Sequence, residues 1–329
     1  MRKYVISELS WNADERLRYI SELTIDSLKQ YIDVFLHNIY IEGLFCGNLL
    51  RSSALSTFNV AEMVLLKEYG AKPMLPLQHL RPREYSLMEG NNYLFEKRSS
   101  VHSFSAIWVY FQVGLQTERN NVLCEMFNQM IFEQMFDTLR TKQQLGYYVY
   151  SDVVRSESVV GVRVLVQSDK QPSYVEKRIE NFFKSFKNVL QDMSEKKYKD
   201  FVEATAVKKL KKPKKLMQEA KIYAAEIQRR QFNFRRAEKE VELLRKLHKE
   251  DMIKFFKRYI DPASERRKRL AAVLLGKDMN SLAEDDEANW TVIGDILKFK
   301  ASRPLYEHVL PSNDTPVLSY EKINEKEEL

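Results

Sequence analysis

Residues Ser99 to Thr117 form the longest uncharged stretch of the chain, and the spacing of its apolar side chains limits what the chain can fold into. Its 19 residues would just cross a bilayer if all were apolar. Four serines, His102, two glutamines and Gly114 interrupt them. Val101, Ile107, Val109, Phe111, Val113 and Leu115 share one parity, which on an extended backbone places them on a single face. The stretch therefore predicts a long strand with one buried side and no membrane span. Val160, Val162, Val164 and Val166 repeat the pattern, and YYVYSDVV precedes them across a turn at Arg155 to Ser158, which predicts a hairpin.

Helical spacing surrounds these strands. Ile25, Leu28, Ile32, Phe35 and Leu36 predict a helix capped by Thr24, and Leu55, Val60, Met63, Val64 and Leu65 predict a second over about Ser53 to Glu68. A short strand, IYIEGLFCG, lies between them. LPLQHLRPRE, inside a run with three prolines from Pro73 to Pro82, reads as a connector and a domain boundary. Beyond it come a strand from Tyr93 to Glu96, the long strand, and a helix from about Asn121 to Leu139. Leu145-Gly146 ends that helix, the glycine fitting a left-handed cap. The hairpin follows, then helices opening at Pro172 and after Ser194, a last strand in RRKRLAAVLLG and a short helix from Trp290 to Phe299. This order predicts an α+β fold of layered sheet and helices, with an antiparallel or mixed sheet. With 329 residues, 44% of them hydrophobic and 12% aromatic, the chain has core enough for two domains or one large one.

Several chemistries lack their residues. The five histidines are His37, His79, His102, His248 and His308, and the nearest pair is 23 residues apart, so no two-histidine helical zinc motif exists. A zinc site within this chain is not expected, and His102 reads as an ordinary strand residue. There is no G-x-G-x-x-G, no P-loop and no G-x-S-x-G. Cys46 and Cys124 both sit among apolar neighbours and read as inert thiols. Two cysteines build no disulfide framework, and the start MRKYVISELSW has no unbroken apolar run, so a reducing compartment, the cytoplasm, is expected.

The segment from Phe136 to Tyr147, FDTLRTKQQLGY, carries the strongest chemical signal. Arg140 lies near a helix end and Tyr147 begins a strand beyond the glycine. A guanidinium offers a fixed fork of donors to a carboxylate or to peptide carbonyls, and a tyrosine adds a flat face and a hydroxyl. Residue types alone leave a second reading open, in which the arginine serves the helix C-terminus and the tyrosine packs a corner.

LRTKQQLGYYVY, VRVLVQSDKQPSYVEKRIENFF, KKLKKPKKL, QFNFRRAEKEVELLRKL and KEDMIKFFKRYI, in that order, resemble the carboxyl-terminal half of the insulin-degrading enzyme, nardilysin and pitrilysin family. HNIYIEGLFCGN, AKPMLPLQHL and IGDILKFKASRPLY extend the resemblance over nearly the whole chain. It implies a zinc endopeptidase of four related α+β domains whose halves close around a peptide. Zinc is then held by an inverted H-x-x-E-H helix in the first domain, which this sequence lacks. By the resemblance, residues 1–83 are the last part of the third domain and residues 84–329 the fourth, a noncatalytic one.

The resemblance implies that Arg140 and Tyr147 bind substrate opposite the zinc, with Phe136 in the apolar wall of the same pocket. The chain itself is expected to bind no cofactor and to be inactive alone. Its implied partners are peptide substrates and a catalytic amino-terminal half. The alternative is a stand-alone peptide-binding or regulatory protein without peptidase activity.

Six lysines in the eight residues from Lys208 to Lys215 repel one another unless an anion lies near. They read either as a solvated turn or, with Lys212, Lys214 and Lys215 facing the chamber, as a site for polyanions. A formal net charge of +7 and the absence of a recognition motif argue against nucleic acid as the partner. Self-association through surfaces left open in residues 1–83 is expected. Lys326 to Leu329 resemble a K-D-E-L address, which would go unread without a secretory signal.

Overall fold

The computed structural model describes residues 1–75, 78–284 and 289–312, so the Lys326 to Leu329 tail lies outside the described residues. The chain separates into two compact units interleaved along the sequence. The first comprises Met1–Ser10, Arg83–Lys211 and Arg235–Leu310; the second comprises Trp11–Pro82, Lys212–Phe234 and the stretch from Pro311.

The first unit is built on a mixed six-stranded sheet. Its strands β3 (Asn92–Arg98), β4 (Ser105–Leu115), β5 (Tyr148–Arg155), β6 (Val159–Ser168), β7 (Arg269–Leu275) and β8 (Trp290–Val292) lie in the order β5-β6-β4-β7-β3-β8. The β4, β5 and β6 pairings are antiparallel, while β3 runs parallel to both β7 and β8. The expected hairpin is β5-β6, turning between Arg155 and Val159. The parity of the long strand also holds: Ile107, Val109, Phe111 and Val113 are buried. It begins only at Ser105, however, and Val101 is exposed, because residues 99–104 form bends ahead of the strand. Near its far end the register with β6 shifts between Gln112 and Gly114, where the glycine takes φ +143°.

Helices α5 (Glu118–Met135), α6 (Pro172–Gln191), α7 (Glu195–Leu210), α9 (Arg236–Leu244) and α10 (Lys249–Tyr259) belong to this unit, and their apolar residues share one core with the sheet. Thr117 caps α5 by accepting the Asn120 N–H at 3.1 Å, and Ser194 caps α7 through the Lys197 N–H. The core is aromatic where the elements converge: the Phe127 ring lies 5.8 Å from Phe186 and 5.7 Å from Phe255, and Phe183 meets Phe111 edge to face at 5.3 Å. Fully burying one such side chain contributes about 1.5–3 kcal/mol. On the other face of the sheet a smaller cluster seats the short amino-terminal helix α1 (Arg2–Ile6): Val5 and Ile6 pack with Tyr93, Tyr110 and Phe299, the last from α11 (Ile296–Ala301).

Several charged groups buried by this packing are paired. Arg269 bonds Glu176, and Arg267 bonds Glu180 at 2.8 Å, joining the start of β7 to α6. Two members of the basic run Arg266 to Arg269, Arg267 and Arg269, are thus interior. A second network centres on Glu240 of α9, whose carboxylate meets Lys209, Arg155 and Arg236, and accepts from Asn121 at 3.0 Å. Lys209 also bonds Glu125 of α5.

The second unit holds α2 (Ala13–Ile20), α3 (Ile25–His37), α4 (Arg51–Tyr69), α8 (Leu216–Gln228) and a parallel pair of two-residue strands, β1 (Asn38–Ile39) and β2 (Lys72–Pro73). Thr24 caps α3 as its sequence predicts, accepting the Ser27 N–H while the Ser27 hydroxyl caps in return. Gly70 ends α4 in the left-handed region at φ +56°. The strand expected over IYIEGLFCG shrinks to β1. Arg230 draws the segment after α8 onto β1's continuation, donating toward His79 Nδ1 at 3.0 Å with its guanidinium 5.6 Å from the Tyr40 ring.

Candidate functional site

Helix α5 does not simply stop. After Met135 the backbone widens into a π-helical segment, Phe136–Lys142, whose i→i+5 hydrogen bonds put more residues in each turn, so that successive side chains rotate less about the axis than in an α-helix. The segment closes with the Gln143 N–H on the Thr138 carbonyl at 3.0 Å and the Leu145 N–H on the Leu139 carbonyl at 3.0 Å. Leu139 and Leu145 are fully buried and anchor it.

The left-handed residue that turns the chain is Gln144, at φ +50°, and not Gly146 as the sequence suggests. Gly146 has a different task. A Cβ there would stand 1.8 Å from the carbonyl oxygen of Gln167, so only glycine lets the chain pass β6 closely enough to enter β5.

This path brings Phe136, Arg140 and Tyr147 together. The Arg140 Nε donates to the Tyr147 carbonyl oxygen at 3.1 Å. Its guanidinium lies 5.0 Å from the Phe136 ring centre and 5.4 Å from that of Tyr147, within cation–π range of both. Tyr148 meets Tyr147 edge to face at 5.0 Å. Arg140 is half-buried, Phe136 is 39% exposed and Tyr147 is 74% exposed. Phe136 therefore flanks the arginine at the surface and does not belong to the core. Among the described residues Arg140 has no carboxylate partner, and its Nε bond to the Tyr147 carbonyl fixes the plane of the guanidinium. The neighbouring Lys142 pairs with Asp137 at 2.6 Å.

Lys212, Lys214 and Lys215 belong to the second unit and are all exposed. None of the three has a carboxylate partner among the described residues. The rest of the lysine run is partly spent: Lys209 is held between Glu125 and Glu240, and Lys208 donates to Gln129 at 3.4 Å. No periodicity marks Lys209 as interior, because its partners come from 31 and 84 residues away.

Cys124 is fully buried, and burial raises its thiol well above the usual range, with the Arg155 cation acting the other way. Among the described residues no group of three or more His, Cys, Asp or Glu side chains is placed to hold a metal ion. Nor is any helix among them long and apolar enough to cross a membrane.

The match to known proteins is extensive. Residues 126–224 fit the family described as PQQ synthase PqqF-like, C-terminal lobe domain 4. The insulin-degrading enzyme of Homo sapiens is 33% identical over 324 residues, which covers 94% of this chain and 32% of that enzyme. Pitrilysin superposes with a TM-score of 0.73 at 20% identity, covering 91% of this chain and 31% of its own. A solved peptidase M16 inactive domain from Pseudomonas fluorescens superposes with a TM-score of 0.53 at 14% identity, over 79% of this chain and 59% of its own. The chain spans about a third of the length of the curated relative it matches. Along nearly all of its own length it is a homologue of the carboxyl-terminal part of the insulin-degrading enzymes, in the insulysin, nardilysin and pitrilysin family.

Proposed function

We propose that the chain is the noncatalytic carboxyl-terminal part of a zinc metalloendopeptidase, with residues 1–83 ending the third family domain and residues 84–329 forming the fourth. Its part in proteolysis is to wall the peptide chamber and hold the substrate. The zinc belongs to a catalytic amino-terminal half. The observation that carries this reading is Arg140: an arginine without a carboxylate partner, fixed by the Tyr147 carbonyl and flanked by two exposed rings.

In that geometry the guanidinium donates to a peptide carbonyl or carboxylate, while Phe136 and Tyr147 supply flat apolar surface for a side chain. The contribution to the reaction is orientation and charge stabilisation of a peptide whose cleavage is carried out by the other half. No proton transfer is assigned to this chain. The exposed Lys212, Lys214 and Lys215 suit acidic peptide segments or polyphosphate by charge.

The test is reconstitution. The purified chain alone is expected to leave a quenched fluorescent peptide uncleaved, and turnover is expected on mixing with a catalytic amino-terminal half of the same family. Arg140→Ala should weaken peptide binding by about ten- to a hundredfold, the loss of one or two charge-assisted hydrogen bonds. Turnover by the chain alone, or unaltered binding in Arg140→Ala, would overturn the reading. Peptide binding that needs Arg140, with no activity on mixing, would identify a peptide-binding protein instead.

A further inference from the structure

Helices α5 and α7 enclose a groove of about 510 Å³ lined by Gln129, Met130, Glu133 and Gln134 on one side and by Lys197, Asp200, Phe201 and Ala204 on the other. Met130, Phe201 and Ala204 are the apolar members of this lining. At one end the Lys208 ammonium donates to Gln129 at 3.4 Å. Among the described residues neither the Glu133 nor the Asp200 carboxylate has an ion-pair or hydrogen-bond partner. Lys197 is the lining's one cation, and it pairs with neither of them.

The groove lies beside the Arg140 site. Glu133 stands on the last turn of α5, and Phe136 and Arg140 follow on its π-helical continuation, with the Arg140 guanidinium 5.0 Å from the Phe136 ring centre. The seven residue steps from Glu133 to Arg140 span at most about 10 Å, at ~1.5 Å per α-helical step. An extended peptide covers that length in about three residues.

We propose that the groove receives a basic side chain of the peptide, an arginine or lysine about three residues from the one held at Arg140, with its cation between Glu133 and Asp200. The inference rests on the reading of Arg140 as a peptide contact. The long aliphatic stem of such a side chain lies along Met130 and Phe201, and its charged end meets the two free carboxylates. The site makes the chain selective for peptides that pair an apolar residue with a nearby positive charge.

The experiment is fluorescence anisotropy of the intact chain with fluorescein-labelled, alanine-rich decapeptides that carry one phenylalanine. Versions with arginine, alanine or glutamate three residues to either side of it are compared. One arginine version is expected to bind about fivefold tighter than the alanine version, the worth of two partly exposed ion pairs. The glutamate version is expected to bind worse than both. In the Glu133→Gln, Asp200→Asn double variant the arginine-to-alanine affinity ratio should fall to about one. Both carboxylates are exposed, so the variant should fold, which its melting temperature checks.

Arg140→Ala separates the two claims. If it weakens the arginine and alanine peptides alike while the double variant keeps the wild-type ratio, the groove proposal falls and the reading of Arg140 stands. Absence of any arginine preference, or tighter binding of the glutamate peptide through Lys197, also overturns the proposal. Arg140→Ala without effect on either peptide overturns the reading beneath it.

Discussion

At the scale of single residues, the loop that carries Tyr147 is held by one steric condition. The Cβ of an alanine at position 146 would lie 1.8 Å from a backbone oxygen, which no rotamer change relieves. Gly146→Ala should therefore destabilise the first unit by about 3 kcal/mol, read as a lower melting temperature. It should also displace Tyr147 from Arg140, so peptide affinity falls with stability. Unchanged melting would mean that the β6 edge yields at Gln167. Arg140→Lys makes a complementary test: it keeps the charge but loses the planar fork, and should recover little of the binding lost in Arg140→Ala. Arg140 and Tyr147 were legible in the sequence as residue types able to grip a peptide. Their contact was not, because it depends on a π-helical turn and on a left-handed Gln144, and glutamine is not a residue whose presence signals that conformation.

At the scale of elements, α5, β5, α7 and α9 are tied by the charges around Glu240. Burial alone would raise the Glu240 carboxyl, but the cations of Arg155, Lys209 and Arg236 hold it below its usual range. A carboxyl depressed in the folded state stabilises the fold above its unfolded value of 4.5 and loses that contribution as pH falls through the lower folded value. Glu240→Gln should cost about 3 kcal/mol at pH 7, since it leaves buried cations short of a partner. The gap between wild type and variant, followed by urea unfolding, should narrow below about pH 4.5. A gap independent of pH would show that the carboxylate acts only by shape and hydrogen bonding. The same elements show where periodicity informs and where it fails. The valine parity of β4 and β6 and the caps at Thr24 and Ser194 were legible because each depends on neighbours within a few residues. Arg267, Arg269 and Lys209 look like solvated charge in the sequence because the acids that neutralise them lie 31 to 93 residues away.

At the scale of the molecule, the two units differ in how fully they bury their apolar residues. The first encloses two aromatic-rich clusters, whereas the second leaves large side chains open on all three of its amino-terminal helices: Leu17 and Ile20 on α2, Ile25, Leu28 and Phe35 on α3, and Leu50 and Val60 at and along α4 are each more than half exposed. Its only described strands, β1 and β2, pair over two residues each, too short to be stable unsupported. Apolar surface on this scale is covered by association in water. The 38.9 kDa chain is therefore expected to form concentration-dependent oligomers in light scattering and to bind a hydrophobic dye. Ile25→Glu with Phe35→Glu should shift it toward the monomer, because two charges on the α3 face make its burial against another copy costly. The melting temperature of the first unit should not change, since neither residue contributes to its core. A monomer at every concentration, without dye binding, would mean that the second unit rearranges to bury these faces within itself, and protection of residues 11–75 from proteolysis would then rise to that of the first unit.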